Sequence, residues 1–328
     1  MFEIDWLMAL GAFFVAIIVG LTGMGGGALM TPMLVLFFGV SPLTAVSSDL
    51  VAAAVMKPIG SAVHLRRGTV NMGLVKWLCI GSVPAAFGGV LIARALGDGE
   101  EVQAIIKTAL GVALLISATG LVIRAYQRLV ERARARDGQL GPDPQGPPAV
   151  VVRPIPTLIV GIVGGLVVGL TSVGSGSLII IALMMLYPGL KASELVGTDL
   201  LQAVPLVIAA AIGHILFGDF HLELTAALLI GSIPGVWIGA RISSRAPGGL
   251  VRRVLAFVLL ASALKLLGVD NATTGIILVT GLVAAPIAWA LLRRRYGFPM
   301  FVSLANSQAR TASAAPSPAP EPKPEPRE

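Results

Sequence analysis

The 328-residue chain is 55% apolar and only 12% charged, with a formal net charge of +7 and a mean hydropathy of +0.88. Apolar runs of about 20 residues, the length of one bilayer crossing, recur along most of it, which excludes a water-soluble enzyme and a nucleic-acid binder. The single cysteine, Cys79, lies in an apolar run and excludes an intramolecular disulfide.

The start, Met1 to Asp5, is acidic where a signal peptide opens basic, so no cleavable leader is expected. Five apolar segments follow, at about residues 5–22, 25–40, 42–65, 72–95 and 101–125. Residues 127–150 are rich in Arg, then in Gly and Pro, and read as a polar linker. Six more segments run at about 154–171, 175–189, 193–217, 222–243, 250–268 and 272–292, before a Pro/Ala/Glu tail from about Asn306. The predicted organisation is a first repeat (1–126), the linker (127–150), a second repeat (151–268), an extra C-terminal crossing (269–297) and a disordered cytoplasmic tail (298–328).

The basic residues set an orientation. Arg66 and Arg67 follow segment three, Arg124 to Arg136 follow segment five, Arg241 to Arg253 follow segment nine, and Arg293 to Arg295 follow segment eleven. The loops between are acidic or neutral, at 97–101, 218–221 and 268–271. One threading satisfies them all, with the N-terminus outside and the C-terminus in the cytoplasm of a cell (inner) membrane.

The chain also repeats itself. GLTGMGGGALM (Gly20 to Met30) returns as GLTSVGSGSLI (Gly169 to Ile179). Asp49 answers Asp199, His64 answers His214, and Pro84 answers Pro234, each at 199 − 49 = 214 − 64 = 234 − 84 = 150 residues. Five segments per copy is an odd number, so the second copy enters the membrane upside down. The expected fold is an all-α polytopic membrane protein of two inverted repeats of about five helical segments, with broken helices at the midplane.

The two breaks head the candidate binding residues. Helices starting near Gly25 and Ser175 would turn free N–H groups and positive dipole ends toward the interior. Gly25, Gly26, Gly27 and Gly176 would supply bare backbone, and Thr22, Ser172, Ser175 and Ser177 hydroxyls, as a cradle for an anion. The alternative is close helix packing through small residues at Gly23 and Gly27. Lys57 is the most isolated charge in the apolar runs, beside Pro58, and its repeat counterpart is Val207; at that depth it faces a cavity, a carboxylate or an anion, or else snorkels to an interface. Asp49 and Asp199 are either helix caps or buried proton carriers. His64 and His214, at matching helix ends near the surfaces, come within about 60° of the helix face of their aspartates and could pass protons to them. Gln202 and Asn71 are weaker polar candidates, and Pro84 and Pro234 are expected to kink their helices. Three histidines without HExxH or CxxC, and the absence of Gly-Lys-Ser/Thr, leave no metal, cofactor or phosphate loop to propose.

The run at Gly20 to Leu29 followed by Thr31-Pro32, the VGTDLL stretch at 196–201, His64 before Arg66 to Val70, and GSVP at 81–84 with its echo at 231–234 resemble the TauE/SafE sulfite exporter family, over about residues 10–268. The resemblance implies a transporter of anions, often sulfur oxyanions or organosulfonates, driven by the proton gradient. It directs attention to the breaks and to the Ser48-Asp49 and Thr198-Asp199 regions. The second break departs from the pattern, carrying hydroxyls where the first carries a glycine triplet. The resulting expectation is a proton-coupled carrier of small anions such as sulfite or sulfoacetate. Its partners are the anion, protons and the lipid bilayer, with room for a homo-oligomer and none for nucleic acid. The rival readings are a passive anion channel and an intramembrane enzyme using Ser175 and His214.

Overall fold

In the computed structural model, which describes residues 4–22, 26–66, 68–97, 99–136, 151–190, 192–217, 220–242 and 248–298, the chain is all-helical. Its elements are α1 (Trp6–Thr22), α2 (Gly27–Phe37), α3 (Pro42–Arg66), α4 (Met72–Leu96), α5 (Glu100–Arg136), α6 (Pro154–Thr171), α7 (Leu178–Leu186), α8 (Ala192–Phe217), α9 (Leu222–Ile242), α10 (Gly248–Leu266) and α11 (Asn271–Arg295). Six of them, α4, α5, α6, α8, α9 and α11, are long and apolar enough to cross a bilayer.

Local chemistry sets several helix starts. Pro42 opens α3, and Ser41 Oγ accepts the Thr44 N–H at 3.3 Å. The Asn71 side chain caps α4 through the Leu74 N–H at 3.2 Å. Asp270 caps α11 through the Thr273 N–H at 2.9 Å, and the hydroxyl and N–H of Thr273 hold its carboxyl below the ordinary aspartate range.

The helix plan repeats with the sequence. The starts of α3 and α8 are 192 − 42 = 150 residues apart, as are those of α4 and α9 at 222 − 72 = 150. Packing is reciprocal. The first helix of each copy lies against the fourth helix of the other, α6 on α4 and α1 on α9, while α3 and α8, the third helices, pack on one another. Glycine makes both cross-copy seams close. A β-carbon at Gly161, Gly165 or Gly169 would collide with the carbonyl of Leu78, Ser82 or Ala86. One at Gly231, Gly235 or Gly239 would collide with the carbonyl of Ala9, Phe13 or Ile17. Small residues at four-residue spacing let the backbones touch, which is how helices associate where lipid removes the hydrophobic drive.

Two compact units separate in the chain: Met1–Tyr126 with Pro142–Leu278, and Gln127–Gly141 with Val279–Glu328. The first holds every candidate site residue. In the second, Arg136 Nη1 donates to the Gly297 carbonyl at 2.7 Å, and the Arg136 and Arg293 guanidinium groups lie 5.1 and 5.9 Å from the Phe298 ring centre.

Two expectations change. The segment expected to end near residue 125 continues as α5 to Arg136, so the first residues of the predicted linker are helical. The remainder of that linker, 137–150, and the tail from 299 lie outside the described residues. The short segments after each break are shorter still than expected, eleven residues in α2 and nine in α7, about 16 and 14 Å of helix.

Candidate functional site

α3 and α8 carry the charges. Asp49 and Asp199 each lie seven residues past the first residue of their helix (49 − 42 = 199 − 192 = 7), so neither is a cap. Both are enclosed by protein, at 0% and 1% exposure, and Lys57, at 7%, is the one buried cation among the described residues.

The breaks meet. A β-carbon on Gly27, at the start of α2, would collide with the Ser172 carbonyl at the end of α6. The second break is irregular throughout: Ser172 is left-handed at φ 58°, and Gly174 and Gly176 have φ of 133° and 97°, conformations glycine adopts at little steric cost. Its hydroxyls point to different partners. Ser172 Oγ donates to Asp49 Oδ2 at 2.7 Å. Ser175 Oγ accepts from the Lys57 ammonium. Ser177 Oγ lies 2.7 Å from Ser117 Oγ of α5.

Asp49 Oδ2 accepts a second hydroxyl, from Thr31 of α2 at 2.7 Å, while Oδ1 is buried with no hydrogen-bond partner among the described residues. A β-carbon placed on Gly26 would lie 3.8 Å from that oxygen, so Oδ1 faces the head of α2. Asp199 is held differently. Its Oδ1 accepts the Gln202 amide at 3.1 Å, and Gln202 Oε1 accepts the Ser82 hydroxyl of α4 at 3.2 Å. The Gly176 backbone also donates to this carboxylate. The Lys57 charge acts on both aspartates. One ammonium, two carboxylates, two touching breaks and a ring of hydroxyls therefore share one enclosed region.

The histidines differ from expectation. His214 is completely buried rather than near a surface. Its Nε2 donates to the Gly169 carbonyl at 2.9 Å, and Nδ1 meets Ser47 Oγ at 2.8 Å. With both ring nitrogens engaged there and Ser175 bound to Lys57, the Ser175–His214 pair of the enzyme reading is not assembled. His64 is half-buried, its Nδ1 3.0 Å from Thr69 Oγ1 of the following turn. The Thr22 side chain and Gly25 lie outside the described residues.

Sequence reasoning passed over Thr31 and Ser82 and ranked Gln202 low. A hydroxyl one turn beyond a glycine break was the available signal for Thr31. Ser82 recurs in the GSVP motif and Gln202 is a polar residue in an apolar run, but nothing in the sequence joined the two, because their link crosses between α4 and α8.

The chain is also similar to known membrane proteins. Residues 8–266 match the family described as sulfite exporter TauE/SafE. The chain is 41% identical to the probable membrane transporter protein YjnA of Bacillus subtilis (strain 168) over 255 residues, 77% of this chain and 96% of that protein. It is 28% identical to the probable membrane transporter protein YdhB of the same organism, over 74% of this chain and 91% of that one. No solved structure matches it.

Proposed function

Since the chain belongs to the sulfite exporter TauE/SafE family and is a multi-pass membrane transporter, we propose that it is a proton-coupled secondary carrier of small anions of the sulfur-oxyanion or organosulfonate class. The observation that carries this reading is Lys57, buried, bound to Ser175 of the second break and acting on both Asp49 and Asp199. An enclosed ammonium beside two broken helix ends is suited to a single negative charge.

Electrostatics supports the proton. With both aspartates ionised, the three groups sum to one negative charge. An anion entering then meets repulsion of about 4 kcal/mol from each uncompensated charge at 4 Å and an effective dielectric of 20. One proton on an aspartate brings the three groups to neutrality, and two leave the Lys57 charge for the anion. Uptake of anion and proton together is the electrostatically permitted event. Protons reach the aspartates by way of His64 and His214, and the anion is exposed alternately as two inverted copies rock, with Pro84 and Pro234 inside α4 and α9 as bending points. The N-terminus faces outward and the C-terminus the cytoplasm of the cell membrane, as the arginine pattern favours.

Lys57→Met tests the reading. The variant keeps an unbranched side chain one atom shorter and removes its charge, and purified protein in proteoliposomes should fold but lose anion uptake driven by a pH gradient. Undiminished uptake by a Lys57→Met protein removes Lys57 from the site and the argument with it. Channel-sized currents in place of carrier turnover would move the reading to a passive pore.

A further inference from the structure

We infer that the Asp49 carboxylate is an internal stand-in for the transported anion, occupying the donors that the anion needs and yielding them when it takes a proton. The inference rests on the anion-carrier reading and assigns the coupling within it to one carboxyl group.

Asp49 Oδ2 accepts one hydroxyl from each side of the junction between the breaks, Thr31 of α2 and Ser172 at the end of α6, both at 2.7 Å. Its other oxygen faces the head of α2 at Gly26 and is buried without a partner among the described residues. α2 is eleven residues long and opens without a side-chain cap, so its positive end meets a negative group that the protein itself supplies. Ser172, Gly26 and Gly27 are the groups expected to cradle the anion. While the ionised carboxyl holds the Ser172 and Thr31 hydroxyls and lies against the head of α2 at Gly26, the anion cannot use them. The two negative groups compete for one set of donors.

A proton resolves the competition without breaking a bond. It adds to Oδ1, which has no hydrogen-bond partner among the described residues, and Asp49 becomes neutral. The Thr31 and Ser172 hydroxyls are rotors and turn to an incoming oxygen. The anion then restores the negative charge that Asp49 gave up beside Lys57, and the total charge of the group returns to its starting value. Asp199 is unsuited to this exchange, because a side-chain amide fixed by Ser82 holds it and, among the described residues, the second break reaches it through the fixed Gly176 backbone and not through a hydroxyl rotor; it stays as the fixed partner of Lys57. The charged group acting on Asp49 is Lys57 on its own helix, which also acts on Asp199 of α8, and His214 of α8 reaches the turn before Asp49 through Ser47. Arg124 of α5 acts on Asp199, and α2 and α6 present only the hydroxyls. The fitting ligand is a small monovalent oxyanion with an O–X–O edge, as in a sulfonate, because that edge copies the carboxylate it displaces.

The test uses the full-length protein in detergent with methanesulfonate, whose charge stays constant across the pH range used. In the wild type, the dissociation constant should rise about tenfold per pH unit on the alkaline side, and binding should take up about one proton, read by calorimetry in buffers of different ionisation heat. Asp49→Asn keeps the shape, removes the charge and should bind with less than about twofold change over the same range, while Asp199→Asn should keep the wild-type slope. An Asp49→Asn protein with the wild-type slope, or wild-type binding without proton uptake, overturns the competition and leaves the anion site standing. Absence of saturable binding of methanesulfonate, sulfate and acetate at every pH overturns the anion reading and this inference together.

Discussion

Asp199 depends on a chain of two hydrogen bonds that fixes an otherwise ambiguous group. The Gln202 amide donates to Asp199 because its oxygen is already taken by Ser82. Gln202 and Ser82 are both fully buried, so neither can turn to water. Gln202→Leu should therefore cost about 1–3 kcal/mol, since it strands a carboxylate oxygen and a hydroxyl. Ser82→Ala should cost less alone, and the double variant should cost less than the sum, with a coupling of about 0.5–3 kcal/mol in thermal unfolding. Strict additivity would show that Ser82 does not orient the amide. The same residues show how the site was read from sequence. Asp49, Asp199 and the two breaks were legible because they recur at a fixed offset, and the serines of the second break because they stand where the first copy has Gly23, Gly26 and Ala28. Gln202 was ranked low because its counterpart is Ala52, and Thr31 was missed because its counterpart across the glycine-break offset of 149 residues is Ile180. Duplication points to what both copies share. The residues that make the two aspartates unequal are those the copies do not share.

At the scale of helices, the seams between α1 and α9 and between α4 and α6 rest on backbone contact, and the same substitution should have opposite effects on and off them. Gly235→Ala places a methyl against the Phe13 carbonyl and 2.8 Å from the Ala16 β-carbon, and should destabilise by about 1–3 kcal/mol. Gly88→Ala in α4 meets no atom within 4 Å and should be neutral, or stabilise by up to about 1 kcal/mol through helix propensity. Unfolding midpoints in detergent compare them, and equal midpoints would show that α9 does not press on α1 as closely as described. Most of the helix plan was legible, because apolar length announces crossings and the 150-residue offset carries the plan from one copy to the other, whereas Asn71, expected only as a polar candidate, is the cap of α4. The end of α5 was not. Arginines between 124 and 136 read as polar linker, yet Arg and Ala are good helix formers. Polarity reports where a helix leaves the lipid, and it does not report where the helix stops. Its 37 residues make about 55 Å, well beyond a hydrocarbon core of about 30 Å.

For the whole molecule, two inverted copies would have two equivalent end states, and a single conformation must treat equivalent positions unequally. Ser82 is bonded, whereas its counterpart Ser232 is buried without a partner among the described residues; Ala52 at the counterpart of Gln202 accounts for that by composition. A second inequality has no such explanation. Thr198 Oγ1 accepts the Asn71 backbone N–H at 3.0 Å, seating the turn after α3 on the early part of α8, where Thr69 also lies against Gly197. Its counterpart Ser48 has a hydroxyl as well, yet is buried without a partner among the described residues. On the proposed inversion these positions belong to opposite membrane faces, so the Asn71–Thr198 contact is a latch engaged on one side only. A carrier that alternates must release it in each cycle. With Cys79 replaced by Ser, an Asn71→Cys, Thr198→Cys pair lies close enough to oxidise to a disulfide. Oxidation should stop uptake into proteoliposomes, and reduction should restore it. Methanesulfonate binding to the detergent-solubilised protein should survive the cross-link, because the latch holds no site residue. Uptake that continues at the full rate in the oxidised protein would show that this turn stays seated throughout transport, and that the rocking movement must be sought at another seam.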